Sequence, residues 1–129
     1  MYIGELSKRT GVSVKAIRHY EEIGLIKTPL RKDKYRVYDA SYIDVLAMIQ
    51  LAKRLGFSLS ELKAIAQAKT EKGLVPMDLL VREINKKREL LLTQQKTISL
   101  KLAGLTELEQ SVAQYNACLL ESLEPSAQT

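Results

Sequence analysis

The sequence predicts a mainly α fold: a winged helix-turn-helix domain, a second helix-turn-helix and a long terminal helix. Three observations predict it. Two short amphipathic helical patterns meet at Thr10-Gly11. A basic, tyrosine-bearing stretch from Arg31 to Tyr38 follows, too short and too strictly alternating to be helical. From Met77 onward apolar residues recur every seven positions, with no proline before Pro125.

In order along the chain, IGELSKR at 3–9 places Ile3 and Leu6 on one face of a short helix. Gly11 ends it, because glycine adopts the left-handed C-terminal conformation at little cost. Ser13 is placed to cap a second helix from about Val14 to Glu22 by accepting from its free N–H groups. Ala16, Ile17 and Tyr20 form its inner face, and Gly24 stops it. Pro29 excludes further helix, so Arg31 to Lys34 reads as a loop leading into the short strand Tyr35–Val37, a hairpin-like wing.

A helix beginning at Asp39 or Ser41 uses Tyr42, Val45, Leu46, Ile49, Leu51, Ala52 and Leu55 inwardly and stops at Gly56. Ser58-Leu-Ser-Glu61 matches a capping box, with Leu59, Leu62, Ile65 and Ala66 behind it. Residues 71–75 form a linker after a first domain of 1–70. Pro76 suits a first helical turn. Met77, Ile84, Leu91, Ile98, Leu105 and Val112 then share one column of a heptad. A helix of some 35 residues within 76–115 would be about 50 Å long, too long to cover its stripe on a 70-residue domain, so a second copy is expected to cover it. The alternative is a helical hairpin broken near Gly104. Residues 116–129 are expected to form a short tail, with Cys118, Leu119, Leu120 and Leu123 packing on the dimer and Pro125–Thr129 frayed.

The charge is uneven. Residues 1–70 hold 13 Lys/Arg against 7 Asp/Glu, and 71–129 hold 7 against 8. Five of the six tyrosines lie in the basic front. Such asymmetry suggests a polyanion-binding half, or simply a solvated basic surface. Ser13, Lys15, Arg18 and His19 lie on the outward side of the second helix, and Arg31, Lys34, Tyr35, Arg36 and Tyr38 on the wing. Lys53 and Arg54 stand at the second helix-turn-helix. Cations and tyrosines on adjacent elements are what gripping a DNA backbone requires. Tyr20 reads either as a core tyrosine or as an inward ring whose hydroxyl reaches a phosphate.

One histidine, one cysteine, no phosphate-binding glycine loop and no nucleophile elbow argue against an enzyme. The lone Cys118 excludes an internal disulfide framework and fits a reducing, cytoplasmic setting. No apolar run is long enough for a membrane span, and no secretory leader is visible.

IGELSKRTGVSVKAIRHYEEIGLI at 3–26 and YRVYDASYIDVLAMIQLAKRLGFSLSEL at 35–62, followed by the long helix, resemble the MerR family of bacterial transcription regulators. The resemblance implies a homodimer joined by an antiparallel coiled coil through Ile84, Leu91, Ile98, Leu105 and Val112. It implies double-stranded promoter DNA as partner, RNA polymerase at the same promoter, and an effector that lets the dimer distort an over-long promoter spacer. It assigns Lys15, Arg18, His19 and Tyr20 to a recognition helix. Arg31, Lys34, Tyr35, Arg36 and Tyr38 fall to the wing, and Lys53 and Arg54 to a second contact region. Metal-sensing members hold a soft ion between two cysteines after the dimer helix. Asn116-Ala-Cys118 resembles the second half of that loop, but no earlier cysteine exists, and Met77 stands where zinc and mercury sensors carry a cysteine. No metal cofactor is therefore expected. Cys118 is expected to be a small buried hydrophobe, with a redox or effector role as the alternative. A small-molecule effector at the dimer interface stays open. The competing reading of the whole chain is a coiled-coil interaction protein with a basic front half that binds nucleic acid without sequence preference.

Overall fold

A computed structural model describes residues 1–123 and carries five helices and one two-stranded sheet among them. The order is α1 (Ile3–Thr10), α2 (Val14–Glu22), β1 (Leu30–Lys32), β2 (Tyr35–Val37), α3 (Ser41–Arg54), α4 (Leu59–Gln67) and α5 (Met77–Leu123). The chain divides into two compact units, Met1–Lys87 and a second beginning at Arg88. The frayed end expected at Pro125–Thr129 lies outside the described residues.

The first unit is built around α1, α2 and α3. Leu6, Ile17 and Leu46, one from each helix, are fully buried, and Val12, Leu25, Ile26 and Ile49 join them. Gly11 closes α1 at φ 73° and its N–H donates to the Ser7 carbonyl, the expected left-handed stop. The turn to α2 is tied by hydroxyls. Ser7 Oγ donates to the Val12 carbonyl (2.6 Å), and Thr10 Oγ1 accepts from the Val12 N–H (3.2 Å). Ser13 Oγ accepts from the Ala16 N–H at 3.1 Å, so the α2 cap forms as expected.

β1 and β2 pair antiparallel with Leu30 opposite Val37, Arg31 opposite Arg36 and Lys32 opposite Tyr35. The wing is therefore a hairpin whose first strand contains Arg31, rather than a loop leading into one strand. Only Asp33 and Lys34 connect the strands, and Asp33 takes φ 58°. A short polar side chain tolerates that left-handed conformation, which tightens the turn without glycine.

Tyr38 departs most from expectation. It was placed on the wing surface but is fully buried. Its ring packs edge-on against Tyr42 at 5.0 Å, and its N–H donates to the Met1 carbonyl at 2.7 Å. The alternation of the wing sends Tyr38 inward one residue beyond β2. Tyr42 is also buried, and its hydroxyl donates to the Lys27 carbonyl at 2.8 Å, fixing the segment after α2. Burial chiefly, with the nearby Glu21 carboxylate second, holds the Tyr38 hydroxyl above the usual tyrosine pKa.

On α3, Tyr42, Leu46 and Ile49 face inward as expected, but Leu51 and Leu55 are exposed, as is Met48. The inner stripe is narrower than the apolar pattern. Phe57 instead turns inward after Gly56. α4 carries the complete capping box: Ser58 Oγ accepts from the Glu61 N–H (3.1 Å), and Glu61 Oε1 accepts from the Ser58 N–H (2.9 Å). Lys87 of α5 reaches the same corner. Its Nζ donates to the Gly56 carbonyl at 3.1 Å and to Glu61 Oε1 at 3.3 Å, and lies 5.0 Å from the centre of the Phe57 ring. The Ser58 N–H and the Lys87 ammonium hold the Glu61 carboxyl below the usual carboxylate pKa. These contacts extend the first unit past the expected boundary at residue 70.

The linker is an ordered turn. The Thr70 N–H donates to the Leu74 carbonyl at 2.9 Å, and the Gly73 N–H to the Thr70 carbonyl at 2.8 Å. The Pro76 carbonyl accepts the first helical hydrogen bond, from Leu80. α5 then runs 47 residues without a break. It passes through Gly104, which excludes a hairpin there, and continues beyond Tyr115 through the segment expected to be a separate tail. One glycine costs only about 1 kcal/mol relative to alanine in a helix interior, too little to end one this long. In the second unit Leu91, Ile98, Leu105 and Val112 are all exposed, whereas Ile84, in the first unit, is half-buried. Cys118, Leu119, Leu120 and Leu123 are exposed in the single chain.

Candidate nucleic-acid interface

Helix α2 and the wing form one continuous basic face. Ser13, Lys15, Arg18 and His19 are exposed on α2, and Arg31, Lys34, Tyr35 and Arg36 on the wing. Among the described residues Lys15, Arg18, Arg31 and Lys34 take part in no ion pair. All four are exposed and unpaired among the described residues, which suits the face to a polyanion. A cleft of about 320 Å³ opens between the two elements, lined by Arg18, Glu21, Glu22, Thr28 and Arg36. A smaller one of about 180 Å³ is lined by Tyr2, Ile3, Arg18, Lys34, Tyr35, Arg36 and Tyr38.

The Tyr20 side chain packs inward, as both readings of it require. Its ring is 5% exposed, and its hydroxyl accepts from Lys53 Nζ at 3.4 Å. Tyr20 thus ties α2 to α3 and draws the Lys53 ammonium toward the recognition face. Lys53 and Arg54 are both exposed at the end of α3. Tyr38 contributes no surface to the face and supports it from beneath.

Two residues of the site were not singled out in the sequence. Glu21 sits at the inward edge of α2 with its side chain only 8% exposed. Its Oε1 accepts from Arg36 Nε at 2.7 Å, and its Oε2 from the Tyr38 hydroxyl at 3.4 Å. The available signal was that Glu21, unlike its neighbour Glu22, stands one helical turn beyond the inward Ile17. Tyr2 packs edge-on against Tyr35, ring centres 5.8 Å apart, and props the hairpin from the start of the chain.

Among the described residues no group of three or more His, Cys, Asp or Glu is placed to hold a metal ion. Nor is any described helix long and apolar enough to cross a membrane.

A tri-helical core, a capped helix with unpaired cations outward and a basic hairpin beside it define a winged helix-turn-helix DNA-binding protein. The family model for "MerR HTH family regulatory protein" matches residues 1–69, and the chain belongs to the MerR family. It is 35% identical over 118 residues to the HTH-type transcriptional regulator CueR of Vibrio cholerae, covering 91% of this chain and 79% of that one. A MerR-family transcriptional regulator from Bacillus cereus superposes with TM-score 0.58 at 28% identity, covering 93% of each chain. The regulator PbrR691 of Ralstonia metallidurans CH34, solved in complex with lead(II), does so with TM-score 0.57 at 26% identity, covering 100% of this chain and 91% of that one. The protein is a DNA-binding transcriptional regulator, and its relatives belong to a non-enzymatic class.

Proposed function

We propose that the protein acts in the cytoplasm as a homodimer on promoter DNA and activates transcription by distorting the promoter spacer in response to an effector. The observation that carries this is the basic face shared by α2 and the wing, where Lys15, Arg18, Arg31 and Lys34 form no ion pair among the described residues, together with the exposed heptad positions of α5. In the dimer, twofold symmetry sets two α2 helices about 34 Å apart, one turn of the duplex. α2 enters the major groove with Ser13, Lys15 and His19 toward the bases, while Arg18 and the wing residues Arg31, Lys34, Tyr35 and Arg36 take backbone phosphates. Lys53 and Arg54 extend the backbone contacts. Grip on phosphates at both half-sites lets the dimer bend and untwist the DNA between them, and RNA polymerase reads the altered spacing.

Arg18→Ala tests the interface. Operator affinity, measured by gel shift at fixed salt, is expected to fall at least about tenfold, with the slope of log K against log salt shallower by about 2, one phosphate contact being lost in each protomer. The sedimentation coefficient of the free protein should not change. Operator binding equal to that of the unsubstituted protein would remove Arg18 from the interface.

The lead-bound relative favours a second reading, in which a soft metal is the effector. The donor set of this chain does not make such a site by itself, because Cys118 is its only thiolate. An ion would have to be shared between protomers. Lead(II) titrated into the DNA complex is expected to leave the affinity of the unsubstituted protein and of Cys118→Ser alike. A response abolished by Cys118→Ser would establish the metal reading instead of a small-molecule effector.

A further inference from the structure

The wing carries a conflict that its own sequence does not resolve. Arg31 and Arg36 are directly opposite in the hairpin register, so both guanidinium groups project from one face of a two-stranded ribbon. Like charges at such a pair destabilise it. A two-residue turn and three-residue strands supply little to oppose that, since an isolated hairpin is marginal in water. What holds the hairpin in place comes from another element. The Glu21 side chain of α2 is mostly covered, and both its oxygens are directed at the wing, one to Arg36 Nε and the other to the Tyr38 hydroxyl.

The choice of nitrogen matters. Arginine has five N–H donors in a fixed planar fork. The contact with Glu21 uses Nε, leaving the two terminal amino groups available, and the Arg36 side chain remains 41% exposed. Those groups border the cleft that Arg18 also lines, together with Glu21, Glu22 and Thr28. A guanidinium held by one edge has lost most of its rotamer freedom before any ligand arrives, so less entropy remains to be lost on binding.

We propose that Glu21 is the positioning residue of the DNA interface: it docks Arg36 so that its terminal amino groups and the Arg18 guanidinium converge on one backbone phosphate. Glu21 touches no DNA itself. This rests on the reading of α2 and the wing as the DNA-binding face, and it adds why the wing stays registered against α2 and which two cations share a phosphate.

The test uses the full-length protein and a duplex that the unsubstituted protein selects from a random-sequence pool. Glu21→Ala is expected to lower affinity about tenfold. Glu21→Gln, which keeps an acceptor for Arg36 Nε, is expected to restore it to within about threefold. Glu21→Asp keeps the charge but is one methylene short of Arg36, and is expected to bind as weakly as Glu21→Ala. Rescue by the neutral residue and not by the charged one is a pattern that bulk electrostatics would reverse. In an Arg36→Ala background, Glu21→Ala should cost less than about twofold more, because the residue it positions is gone.

Tight binding by Glu21→Ala would overturn the proposal, as would a full additional loss in the Arg36→Ala background. If Glu21→Ala fails to fold by circular dichroism, the contrast between Glu21→Gln and Glu21→Asp decides, and equal affinity of those two counts against the proposal. Loss of the underlying reading would look different: Arg18→Ala and Arg36→Ala would then bind the selected duplex as well as the unsubstituted protein.

Discussion

Leu91→Lys combined with Ile98→Lys is expected to yield a monomer. In the second unit these side chains lie on a heptad column with Leu105 and Val112, all exposed in the single chain. A stripe of this kind is covered in water by another helix, and the seven-residue period specifies a coiled-coil seam. Two lysines per chain put four ammonium groups into the seam of a dimer. Each would lose several kcal/mol of hydration with no counter-charge to replace it. Sedimentation equilibrium should report one chain, where the unsubstituted protein should report two. Operator affinity should fall about 10²–10⁴-fold, the loss expected when two half-sites no longer engage as one linked unit. The first unit should keep its own melting transition, because Leu91 and Ile98 lie outside it. A dimer persisting in the doubly substituted protein would show that the seam lies on another face of α5.

The second large effect is on stability. Tyr38→Ala removes a fully buried ring that packs edge-on against Tyr42 and reaches Glu21 through its hydroxyl. Truncating a buried aromatic to alanine costs about 3–5 kcal/mol, from lost burial and from the cavity that remains. Small domains have only about 5–15 kcal/mol in total. Urea unfolding should therefore show a midpoint shifted far toward water, and DNA binding lost with the fold. Tyr38→Phe leaves the ring and removes one long hydrogen bond, so its cost should be no more than about 1 kcal/mol. Were the alanine variant as stable as the unsubstituted protein, Tyr38 would not be core.

What was legible in the sequence is what short-range chemistry decides. Gly11, the Ser13 cap and the Ser58–Glu61 capping box each act within a few residues, and each stands where the sequence placed it. The cations of α2 and the wing were legible for a related reason: Lys and Arg stay at the surface unless paired. The failures come from residues whose burial depends on partners distant in sequence. Tyr38 sits in a run of four alternating residues, where nothing local says which face is inside. Leu51 and Leu55 have core-like chemistry at helical spacing, yet the three-helix core is already closed by Tyr42, Leu46 and Ile49. Glu21 escaped notice because its partners, Arg36 and Tyr38, are 15 and 17 residues away. The end of the long helix was misplaced because its pattern weakens after Tyr115, although no residue there stops a helix.

Lys87 gives the corner between α3 and α4 a mechanical character. One ammonium holds the carbonyl of the residue that closes α3 and the carboxylate that opens α4, while its stem belongs to α5. Three elements are thereby pinned at a single bolt. The corner cannot splay without drawing that bolt. Because both contacts are made by one Nζ, a Lys87→Met substitution would release both acceptors together.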